Sequence, residues 1–324
     1  MEYLTSVGSL LGGLLLLAYS GDRLVSGAAN LALRLKVSPL FIGVTVVAAG
    51  TSLPELVVCV IAQLEDSSGL AIGNILGSNI FNIGMVLGPV LILRKSSGMQ
   101  GGFLESIVLI GSTVALMTYL QLTKGISGSS VLTPAAGIAL EIGFVLVVAI
   151  IYRTGRKNQV VLEELQGLKT SSSNLKTAGQ LIIGTAGLWI GGEFLVTGAV
   201  SVARLFEIRE STIGLTIVAA GTGAPELFAS LAALRKGSAS IAIGNVVGSN
   251  LFNTIAIIGA AAIVKPLEIQ LDELVVDLTV MMIMTLTLAP VLGSGNSPRF
   301  QKGIGFFLLG LYGAWLVRLV LDNQ

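Results

Sequence analysis

The sequence contains no histidine and a single cysteine, Cys59, in 324 residues. The absence of histidine removes imidazole-based catalytic triads, histidine zinc sites and histidine proton relays. One thiol excludes an internal disulfide and any multi-thiolate metal site. Charge is scarce too: Asp, Glu, Lys and Arg make up 11% of the chain, where a soluble domain carries about a quarter. A net charge of +1 gives no electrostatic basis for binding nucleic acid. The polar chemistry left to the chain uses carboxylates, amides, hydroxyls and backbone carbonyls, which are mostly hard oxygen ligands.

What the chain does have is apolar length. It is 53% hydrophobic, with a mean hydropathy of +0.89, and its charges cluster between apolar runs of about 20 residues or more, enough to cross a bilayer as helix. No basic region precedes the first run, so it is expected to be a retained span rather than a signal peptide. The pattern predicts an all-α transmembrane fold of ten helices at about 3–35, 38–64, 68–93, 103–122, 132–152, 176–206, 210–234, 238–264, 271–292 and 302–320. The one sizeable polar stretch, around 153–175, reads as a linker between halves 1–152 and 176–324. Placing it in the cytoplasm also places Arg34, Lys36, Arg94, Lys95, Arg235, Lys236, Arg299 and Lys302 there. Lys124, Arg204, Arg209, Lys265 and Arg318 then fall on the other side. This positive-inside bias puts both termini outside the cytoplasm.

The two halves repeat each other. GVTVVAAGTSLPE at 43–55 matches GLTIVAAGTGAPE at 214–226, and AIGNILGSNIFN at 71–82 matches AIGNVVGSNLFN at 242–253. One fixed offset, carrying residue 43 onto 214 and 71 onto 242, aligns both pairs without a gap. It also aligns Gly21-Asp22 with Gly192-Glu193 and Gly88 with Gly259. Each half holds five expected spans, an odd number, so the second copy enters the membrane from the opposite side. Such inverted-topology repeats are common in secondary transporters, whose substrates sit near the midplane where helices are interrupted.

The repeated motifs carry chemistry at that depth. Glu55 and Glu226 fall near the centres of their spans, where an ionised carboxylate costs several kcal/mol. No arginine or lysine of the neighbouring spans sits at similar depth to pair with them. A bound cation supplies the missing charge; a protonated structural glutamate is the alternative. Pro54 and Pro225 precede the glutamates and leave the carbonyls of Gly50 and Gly221 without helical donors, bending each helix. Thr51 lies four residues from Glu55 on one helical face and Ser52 three, and Thr222 repeats the relation with Glu226. On the next span Asn74, Ser78 and Asn82 share a face, as do Asn245, Ser249 and Asn253. These side chains serve either as ligands or as interhelical hydrogen-bond donors and acceptors. Gly73 with Gly77, and Gly244 with Gly248, are expected to let helices approach closely.

Calcium takes about six to eight oxygens in a flexible shell, and two carboxylates balance one divalent ion. The same pair could hold monovalent cations or protons. Left empty, two nearby carboxylates repel each other and are desolvated, which favours exchange of one cation for another over uniport.

The motifs GTSLPE with GNILGSNIFN, and GTGAPE with GNVVGSNLFN, resemble the two alpha-repeats of the calcium/cation antiporter superfamily. The likeness is to its sodium/calcium exchanger branch rather than the proton-coupled branch, and it covers nearly the whole chain. The resemblance implies a ten-helix antiporter with alternating access, its first and sixth helices sliding across an ion-holding core. It implies Glu55 and Glu226 as central cation ligands, with Thr51 and Thr222 beside them for calcium. Ser52, Ser78, Ser249 and the carbonyls of Ala48 and Ala219 correspond to sodium ligands, and Asn82 and Asn253 stand at the ends of the third- and eighth-helix motifs. Gly223 stands where the family usually has serine, and Asn253 where some relatives have aspartate. No cofactor is implied, only the transported Ca2+ and Na+, with inorganic cations and the bilayer as partners. A calcium/proton antiporter, a cation channel and an intramembrane acid/base enzyme are the competing classes.

Overall fold

The computed structural model describes residues 2–94, 102–126, 128–155, 173–205, 219–293 and 297–322. Its helices are α1 (Glu2–Leu35), α2 (Pro39–Thr51), α3 (Leu53–Leu64), α4 (Ser68–Leu93), α5 (Phe103–Leu122), α6 (Pro134–Gly155) and α7 (Asn174–Leu205). They continue with α8 (Ala219–Thr222), α9 (Ala224–Arg235), α10 (Ala239–Val264), α11 (Val275–Leu292) and α12 (Pro298–Asp322). Seven of the described helices are long and apolar enough to cross a membrane, and eight do so if the bent pair α2 and α3 is one span. The expected linker lies largely outside the described residues, as does the start of the expected 210–234 helix.

The elements sort by burial. α4 and α10 form the centre, with 78% of each apolar window buried inside the protein. α6 and α12 lie at the periphery, at 11% and 17%, and α6 turns Ile138, Ile142, Val145, Leu146 and Ile150 outward. An apolar outer face of this kind belongs against lipid, where helices alone satisfy their own backbone groups.

Glycine brings the inner helices into backbone contact. α1 and α7 pair antiparallel: Ser9 donates to the Phe194 carbonyl near one end, and Asn30 to Gln180 near the other. A Cβ on Gly13 would come within 2.5 Å of Leu195 N, and one on Gly198 within 2.5 Å of Leu10 N. α10 lies as tightly on α2, since a Cβ on Gly244 would meet Leu40 O at 2.5 Å and one on Gly248 Val44 O at 2.3 Å. Gly244 and Gly248 therefore do what their spacing leads one to expect. A Cβ on Gly73 or Gly77 would meet nothing within 4 Å among the described residues.

One element departs from the all-helical expectation. β1 (Ser129–Leu132) pairs antiparallel with β2 (Leu267–Gln270), Ser129 opposite Gln270 and Leu132 opposite Leu267. This short ribbon ties the connection before α6 to the one before α11. Gly128, at φ +78°, turns the chain into it, and Lys124 pairs with Asp272 beside it at 2.5 Å. The four-residue run SSVL gives too little alternation to be read as a strand from sequence.

Candidate cation site

Two helix breaks build the site. Ser52, at φ −88° and ψ 7°, separates α2 from α3, which meet at a 48° bend. Gly223, at φ −84° and ψ −2°, separates α8 from α9. Pro54 and Pro225 sit in the first turns of the new helices, where a missing N–H costs nothing and the fixed φ suits a helix start. Glu55 and Glu226 follow in the same turns, next to the positive ends of the helix dipoles. Both are buried, at 1% and 0% exposure.

The breaks leave the neighbouring carbonyls in a definite state. Ala48 O still accepts the Ser52 N–H at 2.9 Å, and the Thr51 hydroxyl lies 3.3 Å from it. No N–H of Pro54 reaches back to Gly50, so the freed position is Gly50, as the sequence implies.

Side chains from α2, α9 and α10 converge around the glutamates. Ser52 donates to Glu226 Oε1 at 3.3 Å. Thr51, fully buried, reaches Asn245 Oδ1 at 3.1 Å and Ser249 Oγ at 3.4 Å. Asn245 in turn donates to the Glu226 carbonyl at 3.3 Å and to Ser230 Oγ at 3.1 Å. On the Glu55 side, Ser78 and Glu226 lie close enough to act on the carboxylate, yet neither Glu55 oxygen has a hydrogen bond of ordinary geometry.

The unpartnered atoms define what the site lacks. Both Glu55 oxygens, Glu226 Oε2, and the amide nitrogens and oxygens of Asn82 and Asn253 are buried without hydrogen-bond partners. A buried polar atom left unpaired costs about 1–3 kcal/mol, more when charged, and native interiors contain few of them. α4 and α10 each widen into a π turn here, at Asn82–Leu87 and Phe252–Ile257; such turns occur frequently at functional sites. Among the described residues there is no cluster of three or more His, Cys, Asp or Glu. The donor set is a carboxylate pair with hydroxyl, amide and carbonyl oxygens, which is suited to a hard cation.

Most of the residues singled out from sequence are thus in one buried region: Glu55, Glu226, Thr51, Ser52, Ser78, Asn82, Ser249 and Asn253. Thr222 is only half-buried and faces a cavity. Ala219 opens α8. Sequence reasoning passed over Asn79 and Asn250. Asn250 donates to the Asn79 carbonyl at 3.4 Å and Asn79 to Thr254 at 3.1 Å, at the crossing of α4 and α10. The signal was the asparagine of Gly-Ser-Asn, present in both copies.

The profile of the sodium/calcium exchanger protein family matches residues 5–153 and 176–321. The chain belongs to this family of membrane ion exchangers. It is 34% identical to the inner membrane protein YrbG of Escherichia coli over 98% of its length and 97% of the relative's. It is 29% identical to the sodium/calcium exchanger MaX1 of Methanosarcina acetivorans over 96% and 97%. Among solved structures, the sodium-calcium exchanger NCX_Mj, soaked with Na+ and Sr2+, superposes with a TM-score of 0.81 at 30% identity, covering 97% of this chain and 98% of that one. As a family member with seven or eight helices among its described residues that are long and apolar enough to cross a membrane, the chain is an integral membrane protein.

Proposed function

We propose that this chain is an antiporter that exchanges Ca2+ for Na+ by alternating access, the ions binding between the two Pro-Glu motifs. The single observation that carries the reading is the pair of buried carboxylates, Glu55 and Glu226, with three of their four oxygens lacking hydrogen bonds. Two such groups at the centre of a bundle need positive charge, and no lysine or arginine among the described residues pairs with either of them.

In this reading Glu55 and Glu226 balance one Ca2+, with Thr51 and Thr222 completing its shell. Ser52, Ser78, Ser249 and the carbonyls of Ala48 and Ala219 serve Na+, and Asn82 and Asn253 border the site with neutral oxygens. Calcium and sodium compete for the same carboxylates, so one leaves as the other binds.

The frame is ten spans in two inverted five-helix repeats, 1–152 and 176–324, joined by a cytoplasmic linker at 153–175. α1 and the broken helix ending in α9 join the eight spans counted above. Reciprocal contacts support the repeat. Gly13 packs on Leu195 and Gly184 on Leu24, while Gly27 packs on Leu181 and Gly198 on Leu10. Each contact becomes its partner under the offset that aligns the motifs. The charge bias supports a cell-membrane protein with both termini extracytoplasmic.

The test is calcium uptake into proteoliposomes under an imposed sodium gradient with pH clamped, compared with a pH gradient in sodium-free buffer. Uptake is expected only with sodium. Equal uptake driven by protons alone would replace the reading with a calcium/proton antiporter using the same two glutamates, and uptake independent of any counter-ion would make the protein a channel.

A further inference from the structure

The fixed offset that relates the two motifs also relates Gly21-Asp22 on α1 to Gly192-Glu193 on α7, and the binding site leaves this acidic pair unexplained. The structure gives its two members opposite surroundings. Asp22 forms ion pairs with Arg235 and, at 4.0 Å, with Lys236, at the end of α9. Beside it α1 lies directly on α9: a Cβ on Gly21 would come within 2.9 Å of the Phe228 carbonyl oxygen. Here α1 and α9 are in direct contact, while a separate cavity of about 610 Å³ lies on the far side of Arg235, toward Leu93 and Arg94.

At the equivalent place in the other half, the helices are apart. A cavity of about 240 Å³ opens between α3 and α7, lined by Val57, Val58, Glu193 and Val196 and reaching Thr222 and Pro225. Val57 is the position that corresponds to Phe228 under the offset. Glu193 is exposed and has no ion-pair partner among the described residues. The positions equivalent to Arg235 and Lys236 are Leu64 and Glu65, so the bases that close one mouth have no counterpart at the other. The difference also explains why Thr51 is fully buried while Thr222 meets the cavity.

We infer that the two acids divide the work of gating, with Glu193 collecting cations at the open mouth above Thr222 and Asp22, held by Arg235 and Lys236, latching the opposite mouth shut. The inference rests on the alternating-access reading above, in which the basic, latched end is cytoplasmic. A carboxylate on the wall of a low-dielectric cleft raises the local cation concentration and the rate of capture, an effect that salt screens. An ion pair present in only one of two conformations shifts their populations by its own free energy. For a partly exposed pair that is about a five-fold change. Because only one mouth carries the bases, the resting protein is biased toward the open state seen here, and the latch must part before the cytoplasmic mouth opens.

The experiment measures labelling of cysteines introduced at Val57 and Phe228 in a Cys59→Ala background, using a membrane-impermeant maleimide applied to either side of oriented vesicles. The Val57→Cys protein is expected to react from the extracytoplasmic side and the Phe228→Cys protein to be protected from the cytoplasmic side. Asp22→Asn should raise the Phe228→Cys rate about five-fold, and Arg235→Gln with Lys236→Gln should do the same. The charge swap Asp22→Arg with Arg235→Asp should restore protection, which a merely misfolded variant does not. Glu193→Gln should raise the external calcium concentration for half-maximal uptake about three-fold at low salt, and not in about 1 M salt. Unchanged protection at 228 in both latch variants would overturn the latch, and an unchanged calcium dependence would overturn the role of Glu193. If the labelling responds as described while no cation exchange is measured, the latch stands and the transport reading falls.

Discussion

The two copies of the Pro-Glu motif, GTSLPE and GTGAPE, differ at one position that touches the site, and the structure turns that difference into two unlike halves. In the first copy Ser52 sends its hydroxyl across to Glu226. In the second, Gly223 has no hydroxyl to send to Glu55, and the space a side chain would use holds the ring of Phe81: a Cβ on Gly223 would lie 2.3 Å from Phe81 Cδ1. Phe81 is itself fixed edge-on against Tyr312, with ring centroids 5.8 Å apart. Phe252, its counterpart in the second copy, packs instead on Phe144. A repeated backbone therefore does not impose a symmetric site. One small residue and one ring leave Glu226 with a serine hydroxyl from the opposite motif and Glu55 without one, so the two carboxylates sit in different surroundings.

The largest effect is expected from removing either charge. Glu55→Gln and Glu226→Gln should each abolish calcium exchange while the protein remains folded in the membrane, because half of the charge balancing a divalent ion is lost. Calcium flux in proteoliposomes, with size-exclusion behaviour as the control for folding, checks this. Near-normal flux in one mutant but not the other would show that the difference between the halves extends to the charge itself.

Restoring symmetry is the next test. Gly223→Ser alone should destabilise the protein by about 1–3 kcal/mol, the usual cost of overpacking a core, because Phe81 cannot give way without leaving Tyr312. Combined with Phe81→Leu, the serine has room, and the sodium concentration for half-maximal exchange should fall. A thermal-shift comparison of the single and double mutants separates the packing effect from the flux effect. If the single mutant is as stable as the parent, the ring is not what keeps position 223 empty.

Symmetry can also be reached from the other side. Ser52→Ala removes the hydroxyl that donates to Glu226 Oε1, and a hydrogen bond to a charged group contributes about 1.5 kcal/mol. The sodium dependence of exchange should weaken by about ten-fold. An unchanged sodium dependence would mean that the hydroxyl merely holds the empty carboxylate and has no part in binding the ion.

Much of this architecture was legible in the sequence. Apolar runs located α4 and α5 to within a residue of their observed ends, and Pro54 and Pro225 announced the helix breaks through a missing N–H. The carboxylates, hydroxyls and asparagines at helical spacing were legible because the chemistry of a buried charge is local. What escaped depends on packing between distant segments. The ribbon of β1 and β2 joins residues that no periodicity connects. The Asn79–Asn250 contact arises only where two central helices cross. Phe81 over Gly223 is a matter of ring placement, and the unequal exposure of Thr51 and Thr222 belongs to the conformation rather than the composition.

The subtlest expected difference between the halves concerns the support beneath each glutamate, where the two again do the same thing with different atoms. Asn245 donates to Ser230 Oγ at 3.1 Å, and Asn74, its counterpart, donates to Cys59 Sγ at 3.4 Å. Sulfur is a weak acceptor, and Asn74 is only half-buried while Asn245 is fully buried. Asn245 also holds the Glu226 carbonyl and accepts from Thr51, so its loss leaves several buried groups unpaired. Asn245→Ala should therefore cost about 2 kcal/mol and Asn74→Ala about 0.5–1 kcal/mol, from the penalty of stranding buried polar atoms. Replacing the thiol by the oxygen of the other half, Cys59→Ser, should recover part of the difference by giving Asn74 the acceptor that Asn245 already has. Thermal unfolding in detergent of the two alanine mutants, and of Cys59→Ser with Asn74 present and with Asn74→Ala, measures each step. The serine is expected to stabilise only when Asn74 is present. Equal losses at 74 and 245 would mean that burial, not the acceptor atom, sets the strength of the brace.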